Sequence, residues 1–123
     1  MRVGVDAQPV EDVRDALRAH GERYLRRVYT QHEIETCSDA DASPSAESLA
    51  ARYAAKEAVL KVLRVTDEAP PFTDIEVVRE PGGWTSLRLS GTARSLADAA
   101  GLTAFEVSLT HTRQLAMAVV IAT

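Results

Sequence analysis

The chain has 123 residues, of which 46% are hydrophobic and 26% are charged, and its net charge at pH 7 is −4. This balance is ordinary for one globular domain, and the negative charge argues against nucleic-acid binding through a broad basic surface. Cys37 is the only cysteine, which excludes an internal disulfide and a cysteine-based metal cluster. No apolar run reaches the length of a membrane span and no signal-peptide pattern is present, so the sequence predicts a cytoplasmic domain over residues 1–123.

The amino-terminal segment predicts a strand followed by two helices. Residues 1–5 form a short apolar strand, and Asp6 falls at its carboxyl end. Pro9 suits the first turn of a helix, where its missing N–H group costs no hydrogen bond, and Gly21 ends that helix. A second short helix follows, with its apolar side chains facing inward.

Five arginines lie in these two helices against only two acidic residues between the first and the last arginine. They form a local excess of positive charge in an acidic chain, so an acidic partner could dock there. A solvated helix face is the other interpretation, and composition alone favours it. The five residues are Arg14, Arg18, Arg23, Arg26 and Arg27.

Thr30 and Glu33 match a capping box, in which two side chains satisfy the first free N–H groups of a helix. The helix that they begin is short, and residues 37–46 read as a loop. A long central helix over residues 47–64 follows, rich in alanine and leucine and free of glycine and proline. Because this helix is apolar around most of its circumference, we expect it to be largely buried and its few charges to have partners.

The central helix carries the only two lysines of the chain, Lys56 and Lys61, on either side of Glu57. Helical spacing places Glu57, Lys61 and Arg64 on one face, and Arg52 with Lys56 on another. Lysine is a compact charge suited to a phosphate. A solvated pair of Glu57 with Lys61, worth a few tenths of a kcal/mol, explains the same spacing, and spacing alone does not decide between the two interpretations.

The second half of the chain predicts mainly strands. The turn at residues 81–83 joins two strands into a hairpin, and two further strands close the chain after one more helix, which Gly101 ends. The element order β-α-α-α-β-β-α-β-β is typical of an α+β fold with helices packed on a mainly antiparallel sheet. The predicted ranges are 75–77, 84–89, 104–112 and 115–121 for the strands and 90–100 for the helix.

Asp6 and Glu57 are the carboxylates that could share a site. Mg²⁺ in phosphate chemistry often uses one or two carboxylates, with waters and substrate phosphates as its other ligands. Aspartate at a strand end is also a common turn residue, so the pair is a weak signal alone. His111 lies in a strand, where a histidine is more often structural than catalytic, and no nucleotide-binding loop, nucleophile elbow or zinc motif is present.

Three segments in this order resemble the holo-acyl-carrier-protein synthase family of small phosphopantetheinyl transferases. They are GVD at residues 4–6, RYAAKEAVLKVL at residues 52–63 and VSLTHT at residues 107–112. Weaker matches, such as TQHE at residues 30–33 and LSGTA at residues 89–93, extend the resemblance over the whole chain. The resemblance implies that the protein moves the 4′-phosphopantetheine arm of coenzyme A to a serine of an apo carrier protein and releases adenosine 3′,5′-bisphosphate.

The resemblance also assigns roles to residues. Asp6 and Glu57 match the Mg²⁺ carboxylates, and Lys61 lies by the coenzyme A phosphates, so these three residues carry the catalysis, with Glu57 or a water that it holds as the base for the serine proton. The family is typically a homotrimer with coenzyme A between subunits, and its first helices receive an acidic carrier, which makes the five arginines a docking face. Coenzyme A contacts are expected at Arg52, Ser108, His111 and the turn residue Gly83.

The chain departs from the family's pattern in three places. Residues 7–9 read Ala-Gln-Pro where the family has β-branched residues and then glutamate, and Thr112 stands where some members carry aspartate. The turn often reads Gly-x-Pro but is Gly82-Gly83-Trp84 here, so the edge of the coenzyme A pocket differs. These departures leave room for a specialised carrier of a polyketide or peptide assembly line. They also leave two alternatives, a coenzyme A-binding homologue that no longer catalyses and a carrier-binding scaffold.

Overall fold

The computed structural model describes residues 1–123 and contains five strands and five α-helices. A 3₁₀ turn at Phe72–Asp74 precedes the second strand. The elements are β1 (Arg2–Pro9), α1 (Val10–His20), α2 (Glu22–Val28), α3 (Gln31–Thr36), α4 (Ala46–Leu63), β2 (Ile75–Arg79), β3 (Thr85–Leu89), α5 (Gly91–Ala99), β4 (Phe105–His111) and β5 (Leu115–Ala122).

The predicted α+β class is confirmed, and every strand pairing is antiparallel. Four helices, α1 to α4, lie between β1 and β2, whereas the predicted element order contains three. The strands divide into two sheets, however, where the sequence predicted one. The larger sheet has the order β1-β5-β4, and β2 pairs only with β3. Hydrophobic periodicity describes each strand separately and contains no information on where a sheet is interrupted. None of the five helices combines the length and the apolar character needed to cross a membrane.

Helix α4 is the centre of the core, as its apolar composition predicted. Eleven of its 18 residues are buried, and five of these are alanines, whose small side chains allow close approach of the helix to the sheets. The Ser45 side chain caps the helix by accepting a hydrogen bond from the Ser48 N–H group. The helix ends at Leu63, and its C-cap Arg64 adopts the left-handed conformation with φ of 54°.

The first strand is longer than predicted, and this changes the position of Asp6. The β1–β5 pairing continues from Arg2 opposite Ala122 to Pro9 opposite Leu115, so Asp6 lies inside the strand, opposite Ala118, and is not a turn residue. Pro9 is tolerated because β1 is an edge strand of its sheet. It precedes the first residue of α1 as the N-cap.

Candidate functional site

Gly4 brings β1 into direct contact with α4. A Cβ atom at this position would lie 2.3 Å from the carbonyl oxygen of Ala58 and 2.9 Å from Cγ2 of Val62. Only a residue without a side chain therefore permits this separation of strand and helix. Alternate residues of a strand point to the same side, so Asp6 also faces α4.

The carboxylate of Asp6 lies beside Lys61 of α4. Lys61 Nζ donates to Asp6 Oδ1 at 3.2 Å and to the carbonyl oxygen of Val5 at 2.8 Å. The Asp6 side chain is 18% exposed and that of Lys61 is 55% exposed, so the pair is open to a ligand. Lys61 forms its ion pair with Asp6 and not with Glu57, and the solvated Glu57–Lys61 pair that the spacing allowed is absent.

Glu57 lies one helical turn before Lys61, and Tyr53 lies one turn before Glu57. Burial raises the pKa of Tyr53 to about 12, and the negative charges of Glu57 and then Asp6 contribute to the shift. Both carboxylates are thus close enough to the phenol to repel its ionised form. The structure therefore brings together Asp6, Glu57 and Lys61, the three predicted catalytic residues.

The two carboxylates of this cluster suit a Mg²⁺ ion whose other ligands are substrate phosphates and waters. The protein has no group of three or more His, Cys, Asp or Glu side chains that could hold a metal by itself. Two carboxylates are sufficient for Mg²⁺ when substrate phosphates and waters complete its octahedron. The half-buried Asp6 and Glu57, open on one side, meet that requirement.

Gly4→Ala is expected to lower the free energy of unfolding by about 1–3 kcal/mol, because the new methyl group must push β1 away from α4. The same displacement moves Asp6 away from Lys61, so a fall of about a hundredfold in the rate of a reaction that uses both residues is expected from misplacement alone. Urea unfolding measures the first effect, and initial rates on the variant at a temperature where it remains folded measure the second. A Gly4→Ala variant with the stability and activity of the wild type would contradict the close contact of β1 with α4.

A second group of predicted residues lines a separate cavity of about 460 Å³. The cavity lies between the β2–β3 turn and the edge strand β4, and we call it the nucleotide cavity after the ligand that the resemblance predicts for it. The predicted members Arg52, Ser108, His111 and Gly83 all line it. Two residues that the resemblance did not indicate, Arg79 and Trp84, line it as well. The sequence signal for Trp84 was its place in the turn that departs from the family's pattern.

Arg52 lies in the wall of the nucleotide cavity with one guanidinium nitrogen unsatisfied. The residue is 5% exposed, and its Nε atom is buried without a hydrogen-bond partner. A buried N–H group without a partner is costly, and an anionic ligand would remove that cost. Planar guanidinium groups bind phosphate oxygens well.

His111 lies at the rim of the same cavity, beside Glu47 in the first turn of α4. The distance from His111 Nδ1 to Glu47 Oε2 is 3.5 Å. Glu47 also lies 3.8 Å from Arg14 of α1 through its other oxygen. Neither neighbour follows from a local sequence pattern, because the three residues belong to three elements distant along the chain.

The two groups of predicted residues do not share a cavity in one copy of the chain. Asp6 lies on β1 and Ser108 on β4, and β5 separates these strands. Adjacent strands lie about 4.8 Å apart, so β1 and β4 are roughly 10 Å apart across the sheet. Asp6, Glu57 and Lys61, which we call the catalytic cluster after their predicted role, therefore form one surface of the molecule, and the nucleotide cavity forms another.

Lys56 belongs to neither group. Its side chain is 0% exposed, and Nζ donates to Glu33 Oε1 at 2.8 Å, to Phe72 O at 3.0 Å and to Ile75 O. Glu33 also accepts from the N–H groups of Thr30 and Val77, each at 2.8 Å. Burial lowers the pKa of Lys56, and the charge of Glu33 opposes that shift. The capping-box glutamate predicted from sequence is thus also the partner of a buried lysine.

Local carboxylates partly neutralise three of the five arginines predicted to dock a carrier. Arg18 lies 2.8 Å and Arg14 lies 3.4 Å from Glu11. The hydrogen bonds from Arg18 and then Arg14 lower the pKa of Glu11. Arg26 contacts Glu22 at 3.2 Å on α2. Exposed pairs of this kind contribute little to stability.

Arg23 and Arg27 are exposed and form none of the ion pairs of this surface. Together with His20 and Tyr24 they line a cavity of about 260 Å³. Their charges are therefore available to an acidic partner without the loss of an internal contact.

Comparison with known proteins shows the family to which the chain is similar. The model of the 4′-phosphopantetheinyl transferase superfamily matches residues 2–120. A holo-acyl-carrier-protein synthase of Chloroflexus aggregans is 43% identical over 129 residues, covering 97% of this chain and 92% of that protein. One of Dehalococcoides mccartyi is 38% identical, covering 97% and 95%.

Solved structures agree with this family assignment. The acyl carrier protein synthase of Mycobacterium tuberculosis superposes with a TM-score of 0.75 at 31% identity, over 99% of this chain and 96% of that chain. The Helicobacter pylori holo-acyl-carrier-protein synthase, solved in complex with coenzyme A, has the same fold with a TM-score of 0.84 at 24% identity, over 98% and 99%. The chain therefore belongs to the holo-acyl-carrier-protein synthase family of enzymes, within the 4′-phosphopantetheinyl transferase superfamily.

Proposed function

We propose that the protein, as one transferase domain over residues 1–123, transfers 4′-phosphopantetheine from coenzyme A to a serine of an apo acyl carrier protein. The reaction depends on Mg²⁺ and releases adenosine 3′,5′-bisphosphate. Family membership supports phosphopantetheinyl transfer. The observation that carries the rest is the cluster of Asp6, Lys61 and Glu57, which places two carboxylates and a lysine on one open surface.

In the proposed reaction, the serine oxygen attacks a phosphorus of the coenzyme A pyrophosphate, and the bond from that phosphorus to the bridging oxygen breaks. Asp6 and Glu57 would hold Mg²⁺, which supplies positive charge to the phosphoryl oxygens. Lys61 contacts the phosphates with its exposed ammonium group. Glu57, or a water that it holds, accepts the serine proton.

The test is to incubate the protein with coenzyme A, Mg²⁺ and several apo carriers, and to weigh each carrier by mass spectrometry. The gain of one phosphopantetheine mass on a carrier, lost when a chelator is added, is the expected result. No gain on any fatty-acid, polyketide or peptide carrier would leave the coenzyme A-binding homologue or the carrier-binding scaffold as the function. The cytoplasmic location stays a prediction from the sequence.

The proposed docking face for the carrier comprises Arg14, Arg18, Arg23, Arg26 and Arg27. Its support is the unpaired charge of Arg23 and Arg27, since a positive patch attracts an acidic partner and orients it. Arg23→Glu combined with Arg27→Glu is expected to raise the KM for carrier about tenfold or more and to leave the KM for coenzyme A nearly unchanged. Steady-state kinetics with each substrate varied in turn measure this.

The matched control for that variant is Arg88→Glu with Arg94→Glu, which changes the net charge equally on β3 and α5. Both side chains are exposed, at 72% and 49%. The control should retain the wild-type KM for carrier. An equal rise of this KM in both double variants would show that net charge matters and that the docking face does not.

The proposed homotrimer rests on the side of the three-stranded sheet that faces away from α4. Alternate residues of β1 and β5 are apolar and 38% to 68% exposed, whereas an exposed sheet face is normally polar. Ser108 is paired with Val119 and lies on the same side, so a second copy on this face would reach the nucleotide cavity. The apolar residues are Val3, Val5, Leu115, Met117, Val119 and Ile121.

Val119→Glu is expected to shift the protein to monomers, because it would bury an unpaired carboxylate at the centre of this face. Sedimentation velocity at several concentrations measures the change. Ala99→Glu, an exposed position of α5, adds the same charge elsewhere and should leave the assembly intact. A wild-type monomer, or a trimeric Val119→Glu variant, would show that the apolar face does not join subunits.

A further inference from the structure

Trp84 is the only tryptophan of the chain, and 64% of it is exposed. It follows the β2–β3 turn, whose backbone is well fixed. The Glu80 N–H group donates to the carbonyl oxygen of Trp84 at 2.9 Å, and the Gly83 N–H group donates to that of Glu80 at 2.9 Å. A large apolar side chain is thus presented to solvent from a short, hydrogen-bonded turn.

The indole ring is folded back over Gly82. A Cβ atom on Gly82 would lie 1.8 Å from Cζ3 of the ring and 2.5 Å from Cε3. The glycine therefore creates the space in which the ring lies. This arrangement gives the ring a defined position on the turn. Folding does not require an exposed tryptophan on a surface loop to be positioned in this way.

Trp84 lines the nucleotide cavity together with Arg52, Arg79, Ser108 and His111. Two guanidinium groups, one with a buried unpartnered Nε atom, suit phosphate. An exposed aromatic face suits the face of a base, since stacking needs only a planar π surface. A ligand that carries both a phosphate and a base matches both features at once.

We propose that Trp84 is a specificity-determining residue that stacks on the base of the nucleotide bound in this cavity. The inference rests on the proposed function for the presence of coenzyme A, and it adds a contact made by a residue that departs from the family's Gly-x-Pro turn. The phosphates of the ligand bind the two arginines, and its base lies against the β2–β3 turn. Ligands without a base gain nothing from Trp84.

Calorimetric titration with coenzyme A, adenosine 3′,5′-bisphosphate and inorganic pyrophosphate tests this, using the full chain. Trp84→Ala is expected to raise the Kd of both base-containing ligands about tenfold and to leave the Kd of pyrophosphate unchanged. Trp84→Phe should retain most of the affinity. In the wild type, the fluorescence of the single tryptophan should change when adenosine 3′,5′-bisphosphate binds and not when pyrophosphate binds.

Gly82→Ala provides an independent geometric test, because it keeps the tryptophan but displaces the ring from its position. It should raise the Kd of base-containing ligands, as Trp84→Ala does. An unchanged Kd for adenosine 3′,5′-bisphosphate in Trp84→Ala overturns the inference, whatever the transfer assay shows. Tryptophan-dependent nucleotide binding without transfer to any carrier would sustain the stacking contact and overturn the proposed reaction. Absence of nucleotide binding to the wild type would overturn both.

Discussion

Replacing Glu57 by glutamine is expected to lower the rate of phosphopantetheine transfer by about a hundredfold or more while the fold is retained. Glutamine keeps the size of the side chain and removes the charge that would hold Mg²⁺ and accept the serine proton. Such charge stabilisation is worth several kcal/mol in a phosphoryl transition state, and each loss of about 1.4 kcal/mol slows a reaction tenfold. Because Glu57 is only half-buried, the neutral side chain leaves the core unchanged.

Single-turnover transfer rates at several Mg²⁺ concentrations measure the effect, and thermal melting and sedimentation verify the fold and the assembly. Glu68→Gln is the matched control, since Glu68 is an exposed residue between α4 and β2. A Glu57→Gln rate within twofold of wild type, at the same Mg²⁺ dependence, would remove Glu57 from the catalytic cluster.

The sequence predicted best those features that depend on neighbours along the chain. The Thr30–Glu33 capping box, the β2–β3 hairpin and the central helix all follow from local hydrogen bonding, turn chemistry and periodicity. The burial of α4 also followed from its composition. Such signals act within a few residues, so one sequence is sufficient to detect them.

Features that depend on distant partners were predicted less well. Asp6 was expected at a strand end, but pairing with Ala118 on β5 extends the strand beyond it. The sequence allowed an ion pair of Lys61 with Glu57. In the structure β1 contacts α4, and Lys61 forms its ion pair with Asp6. In both cases the deciding residue lies more than fifty positions away. The resemblance brought Asp6, Glu57 and Lys61 together where local pattern could not.

The division of the site into two surfaces was not predictable from sequence. Arg52 and Glu57 lie five residues apart on α4, yet one lines the nucleotide cavity and the other belongs to the catalytic cluster. Helical spacing separates their directions, but only the sheet order shows that β5 lies between the surfaces. This division is the reason why assembly of several copies and catalysis are linked in the proposed function.

Lys56→Met is expected to lower the free energy of unfolding by about 3–5 kcal/mol, which is the usual cost of breaking a buried ion pair by removing one partner. Methionine fills a similar volume without a charge, so Glu33 would be left buried without its cationic partner. The carbonyl groups of Phe72 and Ile75 would also lose their donor. Urea unfolding followed by circular dichroism measures the loss.

A double-mutant cycle with Glu33→Gln separates the pair from the other contacts. The combined variant should be less destabilised than the sum of the two single variants, because the second change removes the uncompensated charge. A purely additive result would mean that Lys56 acts through the carbonyl groups of Phe72 and Ile75 and not through Glu33.

The second lysine of α4 is the matched control for the first. Lys61→Met removes a side chain that is 55% exposed, and exposed ion pairs contribute about 0–1 kcal/mol, so stability should be nearly unchanged. Transfer should slow severely, because the proposed contact of Lys61 with the phosphates of coenzyme A is lost. The two lysines on either side of Glu57 would then have separate purposes, since Lys56 joins α4 to α3 and β2 and Lys61 serves the substrate. Equal loss of stability in both variants would contradict this division.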